Sequence, residues 1–409
     1  MSFHVDSEVG LLKQAIVHRP GLELSRLTPA NVDELLFDDV MWASRAREEH
    51  DAFVAQLETG GVLVHEFETL LARALEQSGA REFLQEQLTT ANRFGPALDA
   101  PLDELVETTA APLLAQLLIG GLLKSDVASL LNAPSLLMEY LAPDDFLLRP
   151  LPNHLFQRDN SAWIYDGVSV NPMAKQARKR ETINSRVVYN FHPMFAGTAM
   201  NFLYGNDSLA HESATVEGGD ITVIGNRAVM MGMGERSTPQ GVEILARSLF
   251  QSGNVDTVIV VELPKARAFM HLDTVMTMID RDAFCVYPFL PAELRSFTLR
   301  AVGDSGDFKI DENAELFPVV ADTLGVDKLR VLKAPVDKML AEREQWDDGN
   351  NFVAIRPGVI LGYERNAATN RHLTDEGITV LPVVGEELGR GRGGPRCMTC
   401  PIEREAVAA

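Results

Sequence analysis

The feature that most constrains this chain is a repeated strand–turn–strand pattern. Residues 161–165 and 168–170 flank Asp166-Gly167, and residues 221–224 and 228–231 flank Gly225-Asn226-Arg227. Residues 275–279 and 283–286 flank Asp280-Arg281-Asp282, and residues 351–355 and 359–361 flank Arg356-Pro357-Gly358. Apolar and β-branched runs bounded by Gly, Asn, Asp or Pro are hairpin signals. A poorer fifth pair surrounds residues 10–17 and closes at Arg19-Pro20-Gly21. Helix-like spacing and a further strand follow most pairs. Segments 45–57, 242–250, 315–324 and 370–376 stop near Gly60-Gly61, Gly253, Gly325 and Gly377, as a left-handed cap requires. The unit reads strand, strand, helix, strand, about five times. A circular array would let each unit bury its faces against its neighbours.

One segment departs from this pattern. Residues 69–142 are rich in Leu, Ala and Glu at helical spacing, and Pro101, Pro112 and Pro134 divide them into several helices. They read as a helical domain inserted in the first repeat. Residues 1–68 and 143–409 are then the α/β domain. A separate bundle domain is the alternative.

Composition narrows the function classes. The 409 residues are 46% hydrophobic and 23% charged, as in ordinary globular proteins, and are enough to bury a large core. A net charge of -21 opposes binding to nucleic acid or to an anionic membrane, and suits a cationic small substrate. No run of about 18 apolar residues predicts a transmembrane helix. Met1-Ser2-Phe3-His4-Val5-Asp6 lacks the pattern of a signal peptide. Three cysteines, Cys285, Cys397 and Cys400, fit a reducing cytoplasm better than a disulfide framework.

The same polar position recurs in front of each central hairpin: Gln157-Arg158-Asp159-Asn160, Glu217-Gly218-Gly219-Asp220, His271-Leu272-Asp273-Thr274 and Asp347-Asp348-Gly349-Asn350. In a circular array these positions converge on the axis, bringing Asp159, Glu217, Asp220, His271 and Asp273 around one pocket. Clustered carboxylates repel one another unless a cation offsets them, and that cation is a metal or an organic guanidinium. His271 is the lone histidine of the set, and no His-x-x-x-His or Cys/His cluster is present. Taken singly, each acid reads as a cap of its own hairpin through an Asx turn. Four echoes in register argue for more than that.

Near the C-terminus the sequence runs Gly389-Arg390-Gly391-Arg392-Gly393-Gly394-Pro395-Arg396-Cys397-Met398-Thr399-Cys400-Pro401. The glycines allow close backbone approach and hinging, and the arginines favour a nucleophilic thiolate. Competing readings are a redox pair of Cys397 and Cys400, half of a zinc site, and an RNA-binding Arg-Gly tract. Pro401, the lack of a second cysteine pair and the acidic chain speak against each in turn.

Together, residues 156–160, 217–220, Gly232-Met233-Gly234-Glu235-Arg236, 271–273 and 391–398 resemble the motifs of arginine deiminase, of the guanidino-group-modifying or pentein superfamily. The order and spacing match over nearly the whole chain, and the helical insertion is similar too. The resemblance implies a five-bladed pseudo-symmetric α/β propeller that hydrolyses L-arginine to L-citrulline and ammonia, with no metal or cofactor. It implies Cys397 as nucleophile, His271 as general acid/base, Glu217 as the carboxylate holding the histidine, and Asp159 and Asp273 as guanidinium binders. Asn153, Arg178 and Arg236 resemble the residues that hold the substrate α-carboxylate, with Arg180 a rival to Arg178. Phe156 falls in the substrate-binding motif, and Arg392 resembles a gating arginine on the 391–395 loop. Cys400 matches no catalytic position. The resemblance also implies a cytoplasmic homo-oligomer, a dimer or tetramer, with no nucleic-acid or membrane partner. An amidinotransferase, a dimethylarginine hydrolase and a non-catalytic arginine-binding protein are the rival functions.

Overall fold

In the computed structural model, residues 3–89, 94–127, 134–198, 200–205, 213–291, 294–303 and 305–407 are described. They form a mixed α/β fold in which one strand arrangement occurs five times. Ser161–Ile164 pairs antiparallel with Gly167–Val170, which pairs parallel with Asn201–Tyr204 after the helix Glu181–Phe191. Ile221–Gly225, Ala228–Met233 and Thr257–Glu262 repeat this around the helix Pro239–Gln251. So do Met276–Asp280, Ala283–Val286 and Arg330–Leu332 around Leu316–Leu324. Val353–Arg356, Val359–Tyr363 and Thr379–Val383 do so around Ala367–Asp375.

Local chemistry explains these elements. The first two strands of most sheets are continuously buried, so they read as apolar runs rather than alternations. Asn226 and Arg227 both have positive φ, as a two-residue hairpin turn of matching twist requires. Helix Leu316–Leu324 ends on left-handed Gly325, and Gly253 and Gly377 also have positive φ after their helices.

The first sheet differs from its sequence reading. Leu12–Val17 has no local hairpin partner at residues 19–21. Its antiparallel partner is Cys400–Arg404, and its parallel partner is Leu63–Glu66, reached through the helix Ala43–Thr59. Arg19-Pro20-Gly21 therefore leads into the short helix Leu22–Ser25 rather than turning a hairpin. The N-terminal segment also stitches neighbouring sheets. The His4 N–H donates to the Ile402 carbonyl at 3.2 Å, and the Glu8 N–H donates to that of Val223 at 2.8 Å. Val5 and Tyr165 exchange hydrogen bonds of 3.1 and 2.7 Å.

A hairpin that the sequence reading passed over, Ser296–Val302 with Asp307–Glu312, extends the third sheet by pairing with Thr257–Glu262. Its outer strand is mostly exposed and charged and so lacks an apolar signature.

Between the first and second sheets lie the helices Phe67–Leu75, Ala80–Thr89, Asp99–Thr108 and Ala111–Gly120. Pro101 and Pro112 sit in first turns, where a missing N–H is harmless. Leu71, Leu75, Leu114 and Leu118 share one core with Trp163, Val187 and Tyr189 of the second sheet and its helix. Leu98, Leu102, Leu122 and Leu148 form a smaller core of their own. No described helix is long and apolar enough to cross a membrane.

Ile402 is fully buried in the strand that closes the first sheet. Ile402→Ala is expected to destabilise the protein by ~2–5 kcal/mol. Urea unfolding measures this, and an unchanged midpoint would mean that the pairing carries little of the stability.

Candidate active site

Four of the predicted polar segments occupy equivalent places. A single helical turn, Gln157–Asn160, Gly218–Asp220 or Leu272–Thr274, precedes the first strand of each of three sheets. Residues 347–351 precede the first strand of the fifth. A short turn entering a strand aims its side chains away from the sheet and fixes them on rigid elements. Glycine makes this convergence possible. A Cβ on Gly219 would lie 2.6 Å from His271 Nδ1, so the imidazole occupies space that only glycine leaves free. A Cβ on Gly393 would lie 2.3 Å from the Phe156 ring, which seats the C-terminal loop against the second sheet.

A narrow cavity opens among these turns. Eight expected residues line it: Asn153, Phe156, Asp159, Arg178, Arg236, His271, Arg392 and Cys397. Glu217 and Asp273 stand one layer behind, both fully buried. Thr274 and Gly391, from two of the predicted segments, also line the cavity, as do Leu36, Arg267 and Met270, which were not anticipated. Arg267 carries a legible charge but sits outside the recurring segments, and Leu36 comes from a loop of the first unit. Arg267 Nη2 donates to the Leu36 carbonyl at 3.3 Å and lies 2.7 Å from Asp38, fastening that loop over the cavity.

The polar contacts are dense. Cys397 Sγ lies 3.5 Å from Asp273 Oδ2, which accepts from Arg396 Nη1 at 2.7 Å. His271 Nε2 meets Glu217 Oε2 at 2.8 Å, and its Nδ1 is 3.8 Å from Asp159 Oδ1. Arg178 donates to Asp159 Oδ2 at 2.7 Å and forks onto Glu181 at 2.9 Å through both Nε and Nη2. Arg180 instead donates to the Leu118 and Arg149 carbonyls, so Arg178 is the arginine that reaches the cavity. Asn153 donates to the Leu35 carbonyl at 2.7 Å. Arg392, with left-handed φ of 62°, places its guanidinium carbon 3.4 Å from the centre of the Trp346 ring.

Some buried atoms have no hydrogen-bond partner: Asp159 Oδ1, Asp273 Oδ1, Arg236 Nε, and Arg392 Nε and Nη1. They leave acceptors beside the thiol and donors elsewhere around the cavity, a pattern suited to a ligand with a cationic and an anionic end. Asp220 does not line the cavity. It accepts from Ser237 Oγ at 2.6 Å and from the Leu272 N–H at 2.8 Å, and so holds the turn after His271. Cys400 is buried against Ser161, and Cys285 lies in a buried strand of the fourth sheet. Among the described residues, no group of three or more His, Cys, Asp or Glu side chains is placed to hold a metal ion.

The sequence profile of arginine deiminase matches residues 33–404. The chain belongs to the arginine deiminase family. Similar solved structures share its fold at low identity. One is an amidinotransferase of saxitoxin biosynthesis from Microseira wollei, with a TM-score of 0.55 and 14% identity, covering 100% of this chain and 98% of that one. Another is a dimethylarginine dimethylaminohydrolase from Pseudomonas aeruginosa complexed with citrulline, with a TM-score of 0.53 and 15% identity, covering 95% and 99%.

The charges around the thiol decide its resting state. Burial raises the Cys397 pKa well above its usual value, and Asp273 and Asp159 raise it further against the pull of Arg396. Burial alone would lower the pKa of His271, but Asp159, the Glu217 hydrogen bond and Asp220 outweigh it and raise the value to about 9. Glu217 stays ionised, near a pKa of about 2, because Arg236, His271 and Arg178 overcome its burial. The resting site at neutral pH therefore holds a thiol and an imidazolium. A cation bound between Asp159 and Asp273 would cancel the charge that opposes thiolate formation. Iodoacetamide labelling of Cys397 is expected to be slow at pH 7, to rise only in strongly alkaline solution, and to quicken in free guanidinium. A labelling midpoint below neutrality in the free enzyme would contradict this electrostatic account.

Proposed function

We propose that this protein hydrolyses L-arginine to L-citrulline and ammonia. On this reading the five equivalent sheets are blades around one axis, and residues 69–142 are a helical insertion. The observation that supports the reading most is the pair of unpartnered buried oxygens, Asp159 Oδ1 and Asp273 Oδ1, on carboxylates beside Cys397 and His271. Two carboxylates can grip the nitrogens of a guanidinium through short charge-assisted bonds, fixing its plane and exposing one face of its carbon.

The bound cation favours loss of the Cys397 proton to solvent, and Sγ then attacks that carbon as thiolate. A C–S bond forms, and the electrons of the C=N bond move onto nitrogen. His271, as imidazolium, protonates the departing nitrogen, the C–N bond breaks and ammonia leaves. The substrate remains as a thiouronium on Cys397. Neutral His271 then takes a proton from water, which attacks the same carbon. The C–S bond breaks, the new hydroxyl gives up its proton as it becomes the urea carbonyl, and citrulline leaves with Cys397 protonated again. Glu217 holds His271 in place and favours its protonated form. Positioned acid–base catalysis of this kind contributes ~10²–10⁴ in rate.

The far end of the substrate sets specificity. Arg236, whose Nε has no hydrogen-bond partner and lies 3.6 Å from Glu235 Oε1, receives the α-carboxylate alongside Asn153, with Arg392 closing behind it. Arg178 is held by Asp159 and Glu181, so in this conformation it supplies positive potential rather than a free hydrogen. An amidinotransferase or a dimethylarginine hydrolase on the same fold is the second reading, favoured by the shared architecture.

The deciding assay is citrulline release from L-arginine by wild type, Cys397→Ala and Cys400→Ala. Wild type and Cys400→Ala are expected to turn over, and Cys397→Ala to be inactive. Agmatine, which would leave Arg236 without its anion, should show kcat/KM lower by at least about 10². Arginine that is bound but not converted would sink the reading. So would preferred turnover of a methylated arginine, or of arginine only when an amine acceptor is supplied.

A further inference from the structure

We infer that Asn351 is a positioning residue that donates a hydrogen bond to the nucleophilic sulfur and so sets how readily Cys397 ionises. The inference rests on the reading of Cys397 as nucleophile. Asn351 is fully buried and uses its carboxamide four times. Its Oδ1 accepts from the Arg396 N–H at 3.0 Å and the Cys397 N–H at 3.3 Å. Its Nδ2 lies 3.1 Å from the Asp273 carbonyl and 3.2 Å from Cys397 Sγ.

The orientation of the amide follows from these partners. Backbone N–H groups only donate and a carbonyl oxygen only accepts, so Oδ1 must face the loop and the NH2 must face Asp273 and the sulfur. A hydrogen donated to sulfur favours thiolate over thiol. Every other polar group described here within 3.5 Å of that sulfur is an acid: Asp273 Oδ2, at 3.5 Å. Asn351 is thus a neutral donor in a place where a cation would compete with the substrate for Asp159 and Asp273. The packing agrees. A Cβ on Gly394 would lie 2.6 Å from Asn351 Oδ1, so the cysteine loop is seated directly on this amide. One carboxamide joins the backbone of the nucleophile, its sulfur and the turn that bears Asp273.

Asn351→Asp separates the two halves of this role. It keeps an oxygen for the loop N–H groups and replaces the donor at the sulfur with an acceptor. The measurement is iodoacetamide labelling of the Cys397 peptide against pH, read by mass spectrometry so that Cys285 and Cys400 do not contribute. Labelling at fixed pH is expected to fall about ten- to hundredfold, the range of one hydrogen bond to a charged group. Arginine turnover should lose kcat with little change in KM. Asn351→Ala adds no charge and decides the matter if the carboxylate disturbs the loop. It should shift the labelling profile in the same direction by less. Labelling profiles that coincide with wild type would overturn the inference and leave Asn351 as a loop anchor. Labelling does not depend on turnover. If wild type makes no citrulline, the proposed function falls while the Asn351 test stands.

Discussion

Buried carboxylates repel one another unless positive charge is brought within reach, and here Arg178 and Arg396 bring it. Each satisfies one oxygen of a site aspartate, Asp159 or Asp273, at 2.7 Å. Each is itself fixed by a second acid, Glu181 or Glu8. Glu8 also takes Arg158 at 2.5 Å, so one N-terminal side chain ties the second sheet to the cysteine loop. The arginines are already committed, so the remaining aspartate oxygens stay acceptors. Leaving a buried polar atom without a partner costs about 1–3 kcal/mol. The fold carries that cost at the position where a cationic ligand would remove it.

The same arrangement explains why the thiol rests protonated. Carboxylates strong enough to hold a guanidinium necessarily oppose a thiolate beside them. If the proposed guanidinium substrate binds here, reactivity is coupled to occupancy, because the charge that grips it is the charge that it neutralises. A buried resting thiol is also less exposed to oxidation and alkylation, which act through the thiolate.

Much of this was legible in the sequence. Hairpin turns and buried apolar runs placed the two hairpin strands of four sheets to within about two residues, because both signals are local, but Asn201–Tyr204, the third strand of the second sheet, was passed over. The in-register polar segments marked Asp159, Glu217, His271 and Asp273 for the same reason. Other parts had no local signal. The partner of Leu12–Val17 lies near residue 400, and nothing at residues 19–21 discloses it. The Ser296–Val302 hairpin attaches to a sheet other than its own repeat's. Asp220 shares the pattern of the site acids, yet Ser237 and Leu272 draw it aside. Asn351 escaped notice because a neutral amide at the start of a strand reads as a turn residue.

The first sheet has a consequence for the order in which the molecule is built. Its antiparallel pairing joins residues about 390 positions apart, as Gln14 to Glu403 does, and the strand Cys400–Arg404 begins three residues after Cys397. Closing so long a loop costs more chain entropy than any local hairpin, so this contact tends to form late and open early. The other four sheets can assemble while the sulfur is still unplaced. A half-folded molecule would carry much of its core and several of its carboxylates, but Cys397, the proposed nucleophile, would not be seated. On this reading activity is a report on completion: it arrives with the last contact made and leaves with the first one lost.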